Sequence, residues 1–114
     1  MIITIQGTGI ELTPAMRQYA KEKVESLTKF FDNIVKAEID LGKTSNHHQK
    51  GDIFYAEVNL HVPRQLLRVV KEEEDLYKAI DKVKDHLKDE LQKMKEKMRV
   101  KDRRGLRNQK EYRG

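Results

Sequence analysis

Hydrophobic and polar positions change period along this chain, and the changes predict its elements. Residues 2–6, IITIQ, are short, β-branched and bounded by Gly7 and Gly9, which predicts a first strand. The stretch ELTPAMRQYAKEKVESLTKFF then switches to helical spacing. Thr13 followed by Pro14 marks a helix start: a hydroxyl to cap free amides, then a proline whose missing N–H costs nothing at that position. Met16, Ala20, Val24, Leu27 and Phe31 recur every three or four residues, with Tyr19 and Phe30 flanking, so one buried stripe is predicted with the helix ending near Phe31.

Residues 34–41, IVKAEIDL, alternate. Val35, Ala37, Ile39 and Leu41 are expected on one face and Lys36, Glu38 and Asp40 on the other, as in a half-buried strand. Residues 42–52 read as a polar loop. Residues 53–62 alternate again, with Phe54, Ala56, Val58, Leu60 and Val62 inward and Tyr55, Glu57, Asn59 and His61 outward. Residues 63–65, PRQ, make a tight connection to a return strand at 66–71, which completes an antiparallel hairpin. From Asp75 a second helix begins, with Leu76, Ile80, Val83, Leu87, Leu91, Met94 and Met98 forming a continuous apolar stripe. About 25 residues at ~1.5 Å each give roughly 37 Å, longer than the ~30 Å of a nine-residue strand, so the helix is expected to overhang the sheet. After Lys101 the pattern dissolves, and Gly105–Gly114 is expected to be disordered.

The order βαβββα with one apolar sheet face predicts an α+β fold: a four-stranded mixed sheet with both helices packed on one face and the first and second strands parallel. The shape is similar to that of double-stranded RNA-binding domains, although the helix order differs. Residues 1–100 are expected to form the folded domain and 101–114 a basic, flexible C-terminal tail.

Charge adds a function class. The 114 residues carry 24 Lys and Arg against 19 Asp and Glu, a net +5, yet from Lys93 onward ten bases face three acids and the rest of the chain is net negative. At 100° per residue, Lys84, Lys88 and Lys95 fall on one flank of the second helix's apolar stripe, and Lys82, His86, Lys93 and Lys97 on the other. The middle of the helix is explained as a solvated face laced with i,i+4 pairs, Asp81 and Asp85 against Lys84 and Lys88. The bases from Lys93 to Arg113 lack such partners. They suit nucleic-acid phosphates, a partner-protein surface or a solubilising tail. For RNA, charge and position nominate Lys82, Lys84, Lys88, Lys93, Lys95, Lys97, Arg99, Lys101, Arg103 and Arg104.

Other chemistry is thinly represented. There is no cysteine, so neither disulfides nor thiolate metal sites are available. His47 and His48 sit together in the polar loop without a suitably spaced third ligand, and no metal or cofactor is expected. Glu72, Glu73, Glu74 and Asp75 precede a helix, where its dipole favours them. No nucleophile–base constellation and no Gly-rich phosphate loop stands out, so no catalytic residue is assigned and the chain is not expected to be an enzyme or to take a small-molecule substrate. No stretch is apolar enough to span a membrane, and the N-terminus lacks a basic flank and cleavage site, so a cytoplasmic protein without a membrane partner is expected.

Three stretches resemble the short ribosome hibernation-promoting factors, also called ribosome-associated inhibitors and labelled sigma-factor modulation proteins. The first is GIELTPAMRQYAKEKVESLTKFFD, with Glu11, Thr13, Ala15, Arg17, Lys23, Leu27 and Phe31 in family-like places. The second is AEVNLHV. The third and most specific is EDLYKAIDKVKDHL, with Asp75, Tyr77, Ala79, Ile80 and Asp81. The resemblance covers about residues 2–100. It implies a translation inhibitor that occupies the messenger and tRNA channel of the small ribosomal subunit during stress or stationary phase, touching chiefly its rRNA. It adds Arg17 and Lys23 to the candidates and coincides with Lys93 and Lys97.

The chain departs from that pattern at His86 and Asp89, where the family commonly carries bases. The dimerisation domain of the long forms is absent from the sequence, so self-driven ribosome pairing is not expected. Two alternatives stand beside this reading: a general structured-RNA binder, and a protein–protein regulator acting through Ile53, Tyr55, Asn59 and His61 on the exposed sheet face.

Overall fold

The computed structural model describes residues 1–44 and 51–113, the last thirteen of these by backbone alone. The elements are β1 (Ile2–Thr8), α1 (Pro14–Glu25), a 3₁₀ turn (Ser26–Lys29), β2 (Lys36–Lys43), β3 (Phe54–Val62), β4 (Gln65–Glu73) and α2 (Leu76–Arg113). The sheet runs β1-β2-β3-β4, with β1 and β2 parallel and the other two pairs antiparallel. This is the predicted α+β arrangement, with α2 packed on β3 and β4 and α1 beside it toward β1.

Local chemistry sets the helix ends. Thr13 Oγ1 accepts from the Met16 amide at 3.1 Å and Pro14 occupies the first turn. Asp75 Oδ1 accepts from the Tyr77 amide at 3.0 Å. The expected end of α1 at Phe31 is corrected to Glu25. Ser26 Oγ donates to the Lys23 carbonyl at 2.5 Å and Thr28 Oγ1 to the Glu25 carbonyl at 2.8 Å. Such back-bonding competes with the α-helical ladder and tightens the last turn to 3₁₀.

The core lies between sheet and helices. Ala37, Ile39 and Leu41 of β2, Ala56, Val58, Leu60 and Val62 of β3, and Leu67 and Val69 of β4 meet Ala20, Val24 and Leu27 from the first helical segment and Leu76, Ile80, Val83, Leu87 and Leu91 from α2. No charged or polar residue is buried among the described residues. One inward assignment is corrected: Val35 is 56 % exposed and Ile34 is buried instead, because Val35 precedes the regular alternation that starts at Lys36.

Strands are longer than their apolar runs. β1 continues to Thr8, and Thr44 N–H still donates to the Ile53 carbonyl at 2.9 Å beyond β2. The hairpin turn shortens to Pro63-Arg64, since Gln65 pairs with Val62. Proline presets the first turn position and Arg64 takes the left-handed φ of 66° that a type II turn needs at the next.

α2 carries the largest correction. Its expected end near Lys101 moves to Arg113, giving 38 helical residues and a molecule 68 Å in its longest extent. Loss of apolar period removed the packing signal but not the helix propensity: residues 101–113 are rich in Arg and Lys, contain no proline, and have Gly105, Asp102 and Asn108 as their weak helix formers. The predicted overhang is present. Leu91 is fully buried, whereas Met98 is 50 % exposed.

Candidate nucleic-acid interface

The two faces of the molecule differ in charge and in how far that charge is neutralised. The open sheet face presents Glu38, Asp40, Glu57 and Glu72 against Lys36 and Arg68, and most of these are tied to one another. His61 Nε2 lies 2.5 Å from Glu38 Oε1, Lys36 Nζ 3.7 Å from Glu38, and Arg68 Nη2 2.7 Å from Glu57. The His61 hydrogen bond, helped by the Lys36 charge, holds the Glu38 carboxyl below its ordinary pKa. Thr8 Oγ1 donates to Asp40 Oδ1 at 2.8 Å and Tyr55 O–H to Asp40 Oδ2 at 3.0 Å. Tyr55 reaches across because its cross-strand neighbour is Gly42, where a Cβ would stand 2.3 Å from the ring. Burial pushes the Tyr55 hydroxyl up in pKa. A face this acidic repels phosphate.

The helix layer is the reverse. Its two helices are fastened by one polar cluster. Tyr19 O–H donates to Asp81 Oδ1 at 2.6 Å, Lys23 Nζ lies 3.5 Å from the same oxygen, and the Tyr19 and Tyr77 rings meet edge to face at 4.9 Å. Asp81 raises the pKa of both groups, by its hydrogen bond to the phenol and by its charge beside the ammonium. The expected i,i+4 pairing of Asp81 with the lysines of its own helix is thus corrected: its carboxylate faces α1, so the shorter reach is across the interface.

The nominated bases sort into two rows on α2. On the β4 side, Lys82 Nζ lies 3.0 Å from Glu73, and Lys93 is 4.0 Å from Glu90, to which His86 is also close at 3.7 Å. On the α1 side, Lys84 Nζ lies 3.5 Å from Asp85, its one carboxylate partner among the described residues, and Lys88 Nζ sits 4.9 Å from the centroid of the Phe30 ring. Lys95 and Arg99 continue that row, join Lys29 around Phe30, and have no carboxylate within ion-pair distance among the described residues. Lys97 is exposed and likewise unpaired among them. Arg17 lies on the exposed side of α1, its Nη1 at 3.5 Å from the Ile5 carbonyl. Lys101, Arg103 and Arg104 fall on the helical continuation of α2.

Sequence reasoning therefore missed Lys29 and the role of Asp81. Lys29 was hidden because it lies between Leu27 and Phe31 of the apolar stripe, in a segment read as plain helix; its signal is a cation directly before two aromatics, Phe30 and Phe31. Among the described residues no group of three or more His, Asp or Glu could hold a metal ion, and no helix is long and apolar enough to cross a membrane. His47 and His48 lie outside the described residues.

Residues 3–99 match the family described as Sigma 54 modulation protein / S30EA ribosomal protein. The ribosome hibernation promoting factor of Klebsiella oxytoca is 37 % identical over 81 residues, covering 71 % of this chain and 79 % of that protein. The ribosome hibernation promotion factor of Deinococcus radiodurans is 33 % identical over 86 residues, covering 74 % of this chain; the match spans only 44 % of that protein's length. Among solved structures, the N-terminal domain of Thermus thermophilus Protein Y superposes with a TM-score of 0.71 at 29 % identity, over 82 % of this chain and 99 % of that domain.

Proposed function

The chain belongs to the Sigma 54 modulation protein / S30EA ribosomal protein family, and from that premise we propose that it is a cytoplasmic ribosome hibernation factor. It binds the small ribosomal subunit through rRNA, occupies the messenger and tRNA channel, and inhibits translation by binding rather than by catalysis. The observation that carries this reading is the asymmetry of charge: Lys84, Lys88, Lys95 and Arg99 run along one edge of a projecting helix, while the opposite sheet face is acidic and internally paired. A projecting basic helix suits a phosphate-lined channel, where each neutralised phosphate releases counterions. Lys82 and Lys93 stand on the other edge, where surface pairs worth about 0–1 kcal/mol can exchange carboxylate for phosphate. Residues 101–114 extend the same charge beyond the folded body, with six bases against two acids.

Channel occupancy makes a direct prediction. Messenger and this protein compete for one space, so pre-loading small subunits with a structured-leader messenger and initiator tRNA lowers the amount of protein bound, and adding the protein first lowers reporter translation. Undiminished binding to pre-loaded subunits would place the protein outside the channel.

A further inference from the structure

The sequence KFF at residues 29–31 is not absorbed by phosphate binding. Phe30 packs partly against the core and lies between two adjoining grooves, of about 350 and 410 Å³. Lys29, Phe30, Lys95 and Arg99 line both, and Met98, half exposed, adds an apolar wall to the larger. A partly buried ring is thus ringed by three cations, Lys29, Lys95 and Arg99, that pair with no carboxylate among the described residues. Single-stranded RNA is recognised by this combination: a base stacks on an aromatic side chain while Lys and Arg hold its backbone.

We propose that Phe30 is the floor of a nucleotide site, where one unpaired base of the bound RNA stacks while Lys29, Lys95 and Arg99 hold the adjoining phosphates. The inference rests on the RNA-binding reading above and names the contact that gives it more than charge. Lys88 Nζ lies over the Phe30 ring at 4.9 Å in the free protein, a cation–π contact that a stacking base replaces as the lysine turns to a neighbouring phosphate. Asp32 and Glu96 also line these grooves. Their carboxylates repel phosphate, which confines the backbone to the cationic side, and they offer acceptors to the amino group of a base.

Phe30→Leu keeps an apolar side chain and removes the stacking face, whereas Phe30→Tyr keeps the ring. Binding of each folded variant to purified small subunits is measured across a salt series. Phe30→Leu is expected to weaken binding roughly 5- to 100-fold with an unchanged salt slope, since no phosphate contact is lost, and Phe30→Tyr to bind like the parent chain. The chain has no tryptophan, so Phe30→Trp adds a single reporter whose emission is expected to be quenched when the subunit is bound. Parent-like binding of Phe30→Leu, equal weakening of Phe30→Tyr, or unchanged emission of Phe30→Trp in the bound complex would each overturn the nucleotide site while leaving ribosome binding intact. Failure of the parent chain itself to bind small subunits would overturn the underlying reading and the nucleotide site with it.

Discussion

Leu87→Ala is expected to destabilise the fold by about 2–5 kcal/mol, lowering the thermal midpoint by roughly 10–20 °C. Leu87 has no exposed surface and lies mid-way along the stripe by which α2 covers the sheet. Truncation removes three carbons from a site lined by strands on one side and helix on the other, so collapse can fill only part of the cavity. Net stabilities of single domains are about 5–15 kcal/mol, so this one change takes a large share. Met98→Ala, one turn beyond the end of the covered stripe, is expected to shift stability by no more than about 0.5 kcal/mol. Urea or thermal unfolding followed by far-ultraviolet circular dichroism separates the two. Similar losses from both would mean that the overhanging part of α2 is packed.

The largest functional effect is expected from Lys95→Glu combined with Arg99→Glu. Both side chains are exposed, neither pairs with a carboxylate among the described residues, and neither enters the core. The fold should therefore melt as the parent does. Two phosphate contacts become two repulsions, so affinity for small subunits should fall at least about tenfold near physiological salt, and the log–log salt slope by roughly 1.4–1.8 units. The comparable pair on the β4 side, Lys82→Glu with Lys93→Glu, should cost less, because Glu73 and Glu90 already neutralise those bases in the free protein. Equal losses from the two pairs would show that both edges of α2 meet RNA.

Much of this fold can be read directly from side-chain period. The alternation of Ala37, Ile39 and Leu41 and of Ala56, Val58, Leu60 and Val62 assigns β2, β3 and their buried face, and the stripe from Leu76 to Leu91 assigns α2 and what it covers. Caps were equally visible, because Thr13-Pro14 and Asp75 act on amides only a few residues away. Boundaries governed by backbone hydrogen bonding were not. The back-bonded Ser26 and Thr28 end α1 early without interrupting its apolar spacing, and α2 continues after its apolar spacing stops.

The site divides in the same way. The basic rows follow from 100° per residue, but whether a base is free depends on contacts between distant segments. Lys23 is held by Asp81, 58 positions away, and Lys82 by Glu73 on the neighbouring strand. Lys29 joins Lys95 and Arg99 only because the turn after α1 lies against α2. One-dimensional spacing contains none of these distances.

The central claim is that the helix layer binds the small ribosomal subunit in preference to RNA at large. Sedimentation through a sucrose gradient, with purified small subunits, large subunits and a free structured RNA offered at equal nucleotide concentration, tests it most directly. The account predicts that the protein travels with small subunits at physiological salt, and that the Lys95→Glu, Arg99→Glu variant stays at the top of the gradient. Equal partitioning onto all three would contradict the claim and make the chain a general structured-RNA binder.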